Sequence, residues 1–335
     1  MITAMSRTGE VVDVPRRPWP LIAGAIVLGA LVAAVACWLA LRGEELATFR
    51  GQRGVVRAVA FSADGSILAS AGDDQTIRLW DSATNRSLRT LEGATAKVRV
   101  LVFAPNSRML ASGGDDGAVR LWDCDAGREL ARLDVSRKAI ECLAFSHDGA
   151  IIAAGGMDNQ IHLWNVAERK LLKTLTKHTK HVHGLAFAPD GKTLVSGSED
   201  GSIHRWDWSA GMASQVFRSN HHVHGLVIAP DGRTMAAAIT GLGVRRWLIP
   251  SLEEASALEG SGMIACLAIS ADSATIATTH EDGTVKIWDA ATGRLRATKR
   301  GHSRLVLGVA FAPDGKTIAT AGNDGTVKKW AVPVR

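Results

Sequence analysis

Residues 55–91, VVRAVAFSADGSILASAGDDQTIRLWDSATNRSLRTL, decide the fold of this chain. Turn residues interrupt the segment, with Asp-Gly at 64–65 and two aspartates at 73–74. Asp and Gly favour tight turns because Asp bonds the nearby backbone and Gly accepts positive φ. Short apolar or alternating runs between such turns are typical of β-strands joined as hairpins. The segment therefore predicts a four-stranded antiparallel sheet with strands at 55–61, 67–72, 76–80 and 87–91.

The same pattern recurs along the chain with a fixed period, which tryptophan marks. Units of this size stack face to face, because a sheet of four strands cannot bury both of its faces alone. Four-stranded units packed around an axis form a β-propeller. The chain is therefore predicted to be all-β, with seven four-stranded blades. The marker residues, separated by 42, 42, 42, 41, 41 and 42 positions, are Trp80, Trp122, Trp164, Trp206, Trp247, Trp288 and Trp330.

The start of this region supplies a strand that its end lacks. EELATFR at 44–50 is similar to the fourth strands RELARLD at 128–134 and RKLLKTL at 169–175, whereas the last unit stops after its third strand. We expect 44–50 to complete the last blade, which would close the ring and remove exposed sheet edges. The propeller domain is predicted to span 44–335.

The last unit, GHSRLVLGVAFAPDGKTIATAGNDGTVKKW at 301–330, resembles a repeat of the WD (Trp-Asp) propeller family. The resemblance covers seven copies over 44–335. In that family a His, a Ser or Thr, an Asp and the Trp of one blade form a hydrogen-bonded set that locks the blade. The resemblance carries this lock over to two blades, as His178, Ser196, Asp200 and Trp206 in the fourth, and His302, Thr320, Asp324 and Trp330 in the seventh.

The other five blades depart from this lock because they lack the matching histidine. The fifth blade departs furthest, since it reads TGLGVRRWLIP at 240–250, with Gly241 at the Asp position and Leu248 after its tryptophan. We expect this blade to be the loosest, or to be altered for a partner. Four of the five blades keep the turn aspartate, as Asp74, Asp116, Asp158 and Asp282.

The N-terminal part has a different composition. After a short tail at 1–20, residues 21–41 form an uncharged run, LIAGAIVLGALVAAVACWLAL. A run of this length is long enough to cross a bilayer as a helix, so we expect an uncleaved transmembrane signal anchor. Alternatives are a signal peptide cleaved after Ala36, a lipoprotein signal acylated at Cys37, and a twin-arginine export signal.

The orientation of this anchor follows from the charges beside it. Arg16 and Arg17 lie closest to the apolar run, which favours an N-terminus in the cytoplasm and a propeller on the other side. Only Arg42 and Gly43 separate the run from the first strand of the propeller, so we expect the ring close to the membrane. The face on which each blade's first strand begins, at 55, 97, 139, 181 and 222 in the first five blades, would point away; we call it the top face.

Composition narrows the function classes. Beyond residue 43 the chain has 35 basic and 31 acidic side chains, which does not suggest a nucleic-acid partner. The four cysteines, Cys37, Cys124, Cys142 and Cys266, show no CxxC pairing and predict no disulfide framework. Cys142 and Cys266 occupy the same first-strand position in two blades and are interpreted as core residues.

Two His-x-His motifs lie one blade apart, in HVHGLAFAPDG at 181–191 and HVHGLVIAPDG at 222–232. Residues two apart on a strand share a face, so each pair should lie on the top face near the central channel. Matching positions in other blades hold further polar residues. The predicted partner-binding set is Arg57, Lys97, Arg99, Glu141, His181, His183, Glu199, His222 and His224.

The histidine pairs allow three interpretations. His181, His183, His222 and His224, with Glu199, offer ligands for Zn²⁺. Duplication of one blade explains the two pairs without any metal, and that is the interpretation we favour. Four neighbouring imidazoles would also make the face sensitive to pH near 6.

These observations together predict a membrane-anchored, non-enzymatic scaffold that binds a protein or peptide on its top face, with no cofactor. No phosphate-binding loop, HExxH motif or nucleophile elbow occurs in the sequence. A propeller that binds a metal or small ligand through the four histidines, as a sensor or an enzyme, is the alternative.

Overall fold

A computed structural model describes residues 45–105, 107–249, 251–258 and 263–334, without the side chain of Ser256. These residues form seven four-stranded antiparallel sheets, which confirms the predicted propeller. Within the described part of the chain, no helix has the length and apolar character needed to cross a membrane. The anchor predicted at 21–41 lies outside the described residues.

The blades are numbered in chain order, and blades one to six each contain four consecutive strands. Blade one consists of β2 (Val56–Phe61), β3 (Ile67–Gly72), β4 (Ile77–Asp81) and β5 (Ser87–Leu91). Blade two consists of β6 (Val98–Phe103), β7 (Met109–Gly114), β8 (Ala118–Asp123) and β9 (Arg128–Asp134). Blade three consists of β10 (Ile140–Phe145), β11 (Ile151–Gly156), β12 (Gln160–Asn165) and β13 (Lys170–Thr176). Blade four consists of β14 (Val182–Phe187), β15 (Thr193–Ser198), β16 (Ser202–Asp207) and β17 (Met212–Arg218). Blade five consists of β18 (Val223–Ile228), β19 (Thr234–Ile239), β20 (Gly243–Leu248) and β21 (Glu254–Leu258). Blade six consists of β22 (Ile264–Ile269), β23 (Thr275–His280), β24 (Thr284–Asp289) and β25 (Leu295–Arg300). Blade seven consists of β26 (Val306–Phe311), β27 (Thr317–Gly322) and β28 (Val327–Ala331), together with β1 (Glu45–Phe49) from the start of the domain.

The core lies between neighbouring blades. Second strands are buried along all or nearly all of their length, as in β11, because both of their faces pack against other sheets. Their small residues allow this close approach: a Cβ added to Gly155 would lie 2.9 Å from Cγ1 of Val182 in the next blade. The blade tryptophans seal the same interfaces, and Trp122 of blade two packs with Ile77 and Leu79 of blade one.

The chain's first strand closes the ring. β1 pairs antiparallel with β28 and forms the outer strand of blade seven. Phe49 is buried there, with its ring centroid 5.2 Å from that of Trp80 in blade one. Lys328 Nζ lies 2.8 Å from Glu45 Oε2, so an ion pair joins the two ends of the domain.

Each first strand carries a β-bulge at its second residue. In blade four the register with β15 shifts between Val182 and Gly184, which leaves His183 without a partner on the second strand. A bulge redirects the side chain of the extra residue and interrupts the alternation of faces. The same shift occurs in every blade and redirects Arg57, Arg99, Glu141, His183, His224, Ala265 and Leu307.

Because of this bulge, the two histidines of each pair are not related by the regular strand alternation expected from the sequence. His181 precedes β14 and His183 is the bulged residue of that strand, so two-residue alternation does not relate them. Their rings nevertheless lie close together, with centroids 6.1 Å apart.

Candidate functional site

The bulged residues surround the upper end of the central channel. Their side chains line a cavity of about 400 Å³. Five of the seven positions are polar, and they belong to blades one to five; blades six and seven contribute Ala265 and Leu307. The polar lining is therefore one-sided, and consists of Arg57, Arg99, Glu141, His183 and His224.

The basic part of the lining is paired with carboxylates that follow the second strands. Arg57 forms an ion pair with Asp73, and Lys97 Nζ lies 3.1 Å from the other oxygen of that carboxylate. Arg99 forms the same pair with Asp115 in blade two. Burial opposes ionisation of Asp73, but the hydrogen bonds and charges of Arg57 and Lys97 outweigh it and lower its pKa. Sequence reasoning missed both aspartates, although they share the register position of Glu199.

Glu141 links the basic residues to the histidines. Its Oε1 lies 3.3 Å from Nη1 of Arg99, and its Oε2 lies 2.6 Å from Nδ1 of His183. Burial raises the pKa of Glu141, but the hydrogen bond from His183 and the charge of Arg99 outweigh this and hold it below the ordinary value. Met157 occupies blade three's counterpart of Asp73 and Asp115, so the carboxylate of this blade comes from the first strand.

Glu199 connects the two histidine motifs at the outer edge of the cavity. Its Oε2 lies 3.3 Å from Nδ1 of His181, and its Oε1 lies 4.0 Å from Nε2 of His222. Lys180 Nζ lies 3.7 Å from the same carboxylate. Glu199 therefore holds one imidazole of blade four near one of blade five.

His224 lies deeper in the cavity. Its Nε2 is 2.6 Å from Oγ1 of Thr240, and its ring centroid is 6.2 Å from that of His183. Burial, together with the charges of His183 and His222, lowers the pKa of His224. This histidine is therefore neutral at pH 7.

The predicted ligand set of four histidines does not come together as one group in the part of the chain that the structure describes. A different group does: Glu141, His181 and His183 each offer a ligand atom, and these atoms lie within 4.8 Å of one another. Sequence reasoning placed Glu141 on the same face but did not assign it to a metal site.

The two cysteines of the channel wall are not activated. Burial raises the pKa of both Cys142 and Cys266, so both thiols are protonated at neutral pH. Cys142 Sγ lies 3.3 Å from the carbonyl oxygen of Val182, a contact that joins blades three and four.

Blades four and seven contain a hydrogen-bonded set behind their tryptophans. In blade seven, His302 Nε2 lies 2.8 Å from Thr320 Oγ1, and His302 Nδ1 lies 3.0 Å from Asp324 Oδ2. Trp330 donates its indole hydrogen to the same threonine hydroxyl at 2.9 Å. Blade four repeats the arrangement with His178, Ser196, Asp200 and Trp206.

Two family models match parts of this propeller. A family model described as the echinoderm microtubule-associated protein second beta-propeller matches residues 56–224, about half of the chain. A model of the WD domain, G-beta repeat, matches 253–289 and 293–331. The chain belongs to this family of WD repeat propellers. No curated protein matches it.

Three blades of this WD repeat propeller replace the missing lock histidine with another basic side chain. In blade two, Arg120 Nη2 lies 2.7 Å from Asp116 Oδ2, and in blade three His162 Nε2 lies 2.8 Å from Asp158 Oδ2. Both basic residues belong to third strands. In blade six, His280 Nε2 lies 2.9 Å from Oγ1 of Thr278, which also accepts the indole hydrogen of Trp288.

In blade five, Arg245 stands at the position of Arg120 and His162, but it pairs with Glu254 on the neighbouring strand. Ala237 stands where other blades have the Ser or Thr beneath the tryptophan, and Gly241 stands at the turn aspartate. Neither residue has a side chain that can form a hydrogen bond. Trp247 is nevertheless buried, and its ring centroid lies 5.4 Å from that of Phe217.

The loops that lead into the first strands are rich in exposed basic residues. The structure describes six of these loops, at 50–55, 92–97, 135–139, 177–181, 219–222 and 301–305. Together they contain one acidic residue, Glu92. They contain eight exposed basic residues, which are Arg50, Arg53, Lys97, Arg137, Lys138, Lys177, Lys180 and Arg304.

Proposed function

We propose that this WD repeat propeller is a non-enzymatic docking platform that binds an acidic segment of a protein partner on its top face. The observation that carries the proposal is that the described loops leading into the first strands contain eight exposed basic residues and one acidic residue. Clustered charge of one sign steers a partner of opposite sign and selects against partners of like sign.

The carboxylates of the top face cancel this charge only in part. Two of the eight basic residues are ion-paired, Lys97 with Asp73 and Lys180 with Glu199, and most of the other carboxylates are engaged inside the propeller. Asp73 and Asp115 pair with the channel arginines, and Asp116 pairs with Arg120. In blade six, by contrast, Glu281 and Asp282 are exposed. The basic surface therefore extends over the loops of blades one to four and seven.

The chemistry of the channel mouth supports binding rather than catalysis. The carboxylate of Glu141 is held between Arg99 and His183, and Asp73 is held between Arg57 and Lys97. Groups that neutralise one another in this way are suited to fixing the shape and charge of a surface. The protonated thiols of the channel wall offer no nucleophile.

Site-specific photocrosslinking tests the docking proposal. A photoreactive residue placed at Lys138 or Arg304 reports on the top face, and one placed at Lys192 or Lys316 reports on the exposed turns of the opposite face. We expect one protein to crosslink from the two top positions only, through a segment rich in Asp and Glu. Crosslinks to one partner from the opposite face alone, or products that disappear on nuclease digestion, would contradict the proposal.

We also propose that residues 21–41 anchor the propeller in a membrane, with the propeller outside the cytoplasm. The uncharged run and the arginines beside it support this proposal. Under alkaline carbonate extraction, the full chain and a Cys37→Ser variant should stay with the membranes, whereas a chain lacking 1–43 should be released. Release of the full chain would contradict anchoring, and release of the Cys37→Ser variant alone would indicate a lipid anchor.

Protease protection tests the orientation. In sealed vesicles with their cytoplasmic side outward, the propeller should resist an added protease until detergent opens the vesicles. Digestion before detergent is added would place the propeller on the cytoplasmic side.

A further inference from the structure

Three side chains from two neighbouring blades converge at the upper end of the channel. Glu141 comes from blade three, and His181 and His183 come from blade four. Their potential ligand atoms lie within 4.8 Å of one another. Two imidazoles and one carboxylate are a ligand set that suits Zn²⁺, which binds nitrogen and oxygen ligands at about 2.0–2.2 Å.

We propose that Glu141, His181 and His183 bind one zinc ion, or a divalent transition ion of similar preference, at the channel mouth. Ligand atoms around a tetrahedral zinc ion lie about 3.4 Å apart, so side-chain shifts of about 1 Å would complete the site. The ion would replace the proton between Glu141 and His183, whose atoms lie 2.6 Å apart. His181 is the last residue of the loop 177–181, but none of the three ligands is among the eight basic residues of the docking proposal, and zinc binding does not depend on that proposal.

Polar groups around the three ligands hold them in place. Glu199 Oε2 lies 3.3 Å from Nδ1 of His181, an arrangement in which a carboxylate orients a metal-binding imidazole. Arg99 Nη1 lies 3.3 Å from Oε1 of Glu141 and fixes that carboxylate. The charge of Arg99 is balanced by its ion pair with Asp115, which reduces its repulsion of a cation.

The burial of the ligands also suits a metal site at a channel mouth. The side chain of Glu141 is 10% exposed, that of His183 is 23% exposed and that of His181 is 38% exposed. The site is thus open on one side to the cavity that Glu141 and His183 line. With three protein ligands, a four-coordinate zinc ion keeps one position for water or for a group of a bound molecule.

Zinc titration of the full-length chain tests the proposal. The protein is stripped with a chelator and titrated with Zn²⁺ against a chromogenic competitor, in the presence of excess Mg²⁺. We expect one tightly bound equivalent in the wild type, because Mg²⁺ prefers oxygen ligands and does not compete for imidazole. Absence of a saturable equivalent would overturn the proposal.

Single substitutions identify the ligands. Glu141→Gln and His183→Ala should each weaken binding at least about tenfold, and Glu199→Gln should weaken it by about the same factor through the orientation of His181. His222→Ala is the matched control, because His222 is the blade-five counterpart of His181 and lies outside the group of three. This variant should bind zinc as the wild type does. Wild-type affinity in Glu141→Gln, or equal losses in His222→Ala and His183→Ala, would contradict this ligand set.

Thermal unfolding provides a readout that does not depend on the competitor. A ligand that binds only the folded state raises the unfolding temperature. Zinc should therefore raise the Tm of the wild type and His222→Ala, but not that of Glu141→Gln. Equal zinc-dependent shifts in all three proteins would assign the bound zinc to another site and overturn the proposal.

Discussion

Trp330 donates its indole hydrogen to the hydroxyl of Thr320 at 2.9 Å. The equivalent bond forms in blades one, two, four and six, with Ser70, Ser112, Ser196 and Thr278 as acceptors. In blade three the acceptor position holds Ala154, and Nε1 of Trp164 is buried without a partner among the described residues. Blade three therefore leaves unsatisfied an indole donor whose equivalent in five other blades has a hydrogen-bond acceptor.

Ala154→Ser should stabilise the propeller. The new hydroxyl would stand where blades one, two and four have serine and would accept the indole hydrogen of Trp164. A buried hydrogen bond contributes about 1 kcal/mol to the free energy of unfolding. The change is measured by the midpoint of thermal unfolding.

Ala153→Ser is the matched control, since Ala153 is equally buried but points to the other side of β11. A hydroxyl there lacks the indole partner, so this variant should unfold at a lower temperature than the wild type. The interpretation of blade three fails if Ala154→Ser is no more stable than the wild type.

Thr320→Val should destabilise blade seven strongly. The substitution keeps the shape of the side chain but leaves both Trp330 Nε1 and His302 Nε2 without their shared hydroxyl. An unsatisfied buried polar group costs about 1–3 kcal/mol, so we expect a loss of about 2–4 kcal/mol in the free energy of unfolding. Thr176→Val, on an exposed strand, should change stability by less than about 0.5 kcal/mol. Equal effects of the two substitutions would show that the lock does not stabilise the blade.

Phe49→Ala tests ring closure. Phe49 is buried on β1 and packs against Trp80 of blade one, whereas Leu46 on the same strand is half exposed. Truncation of a buried Phe costs about 3–5 kcal/mol. We expect Phe49→Ala to lower the Tm and to expose β1 to limited proteolysis.

Leu46→Ala should leave both the Tm and the proteolysis pattern close to those of the wild type. Deletion of 44–50 should leave an insoluble or easily proteolysed chain, because it exposes the edges of blade seven. A soluble deletion variant that melts cooperatively would contradict closure by this strand.

Acid should destabilise the propeller through buried histidines. Burial, with the charge of Lys286, lowers the pKa of His280 to about 4, and burial also lowers the pKa of His178 and His302. An unfolded histidine has a pKa of about 6.5, so the unfolded chain binds more protons between about pH 6.5 and 4. Stability is therefore complete above pH 6.5 and falls as the pH is lowered through this range.

The Tm at pH 7.5 and at pH 5 measures this effect. The wild type should lose stability on acidification, and His280→Gln should lose less, because it removes one of the titrating groups. His147→Gln, at an exposed turn, should keep the pH dependence of the wild type. A wild-type Tm that is unchanged or higher at pH 5 would contradict this account.

The sequence predicts the propeller well because one sheet forms per tryptophan period and alternation identifies its strands. It does not predict the bulges, since these depend on the register between first and second strands. The sequence placed Glu141 and His183 at matching positions on the top face but did not predict their contact, which requires the bulges of two adjacent blades to point into one cavity.

The basic residues that replace the missing lock histidine in blades two and three were missed for a related reason. A search for the loop histidine cannot find Arg120 and His162, which reach the turn aspartates from third strands. Their place is visible only in the strand register, where Arg120 lies opposite Ser112 and His162 lies opposite Ala154. All seven blades have a basic residue two positions before the tryptophan, so the sequence does not single out the two that pair with the turn aspartate.

Charge reversal on the top face tests the docking proposal most directly. One variant carries Glu in place of Arg53, Lys138, Lys177 and Arg304; its control carries Glu in place of Arg86, Lys192, Arg233 and Lys316, which are exposed on the opposite face. The measurement is the amount of the crosslinked partner that co-purifies with each full-length protein at equal expression and Tm. We predict loss of the partner from the top-face variant and wild-type recovery with the control. Equal recovery with both variants, or loss with the control alone, would contradict the proposal.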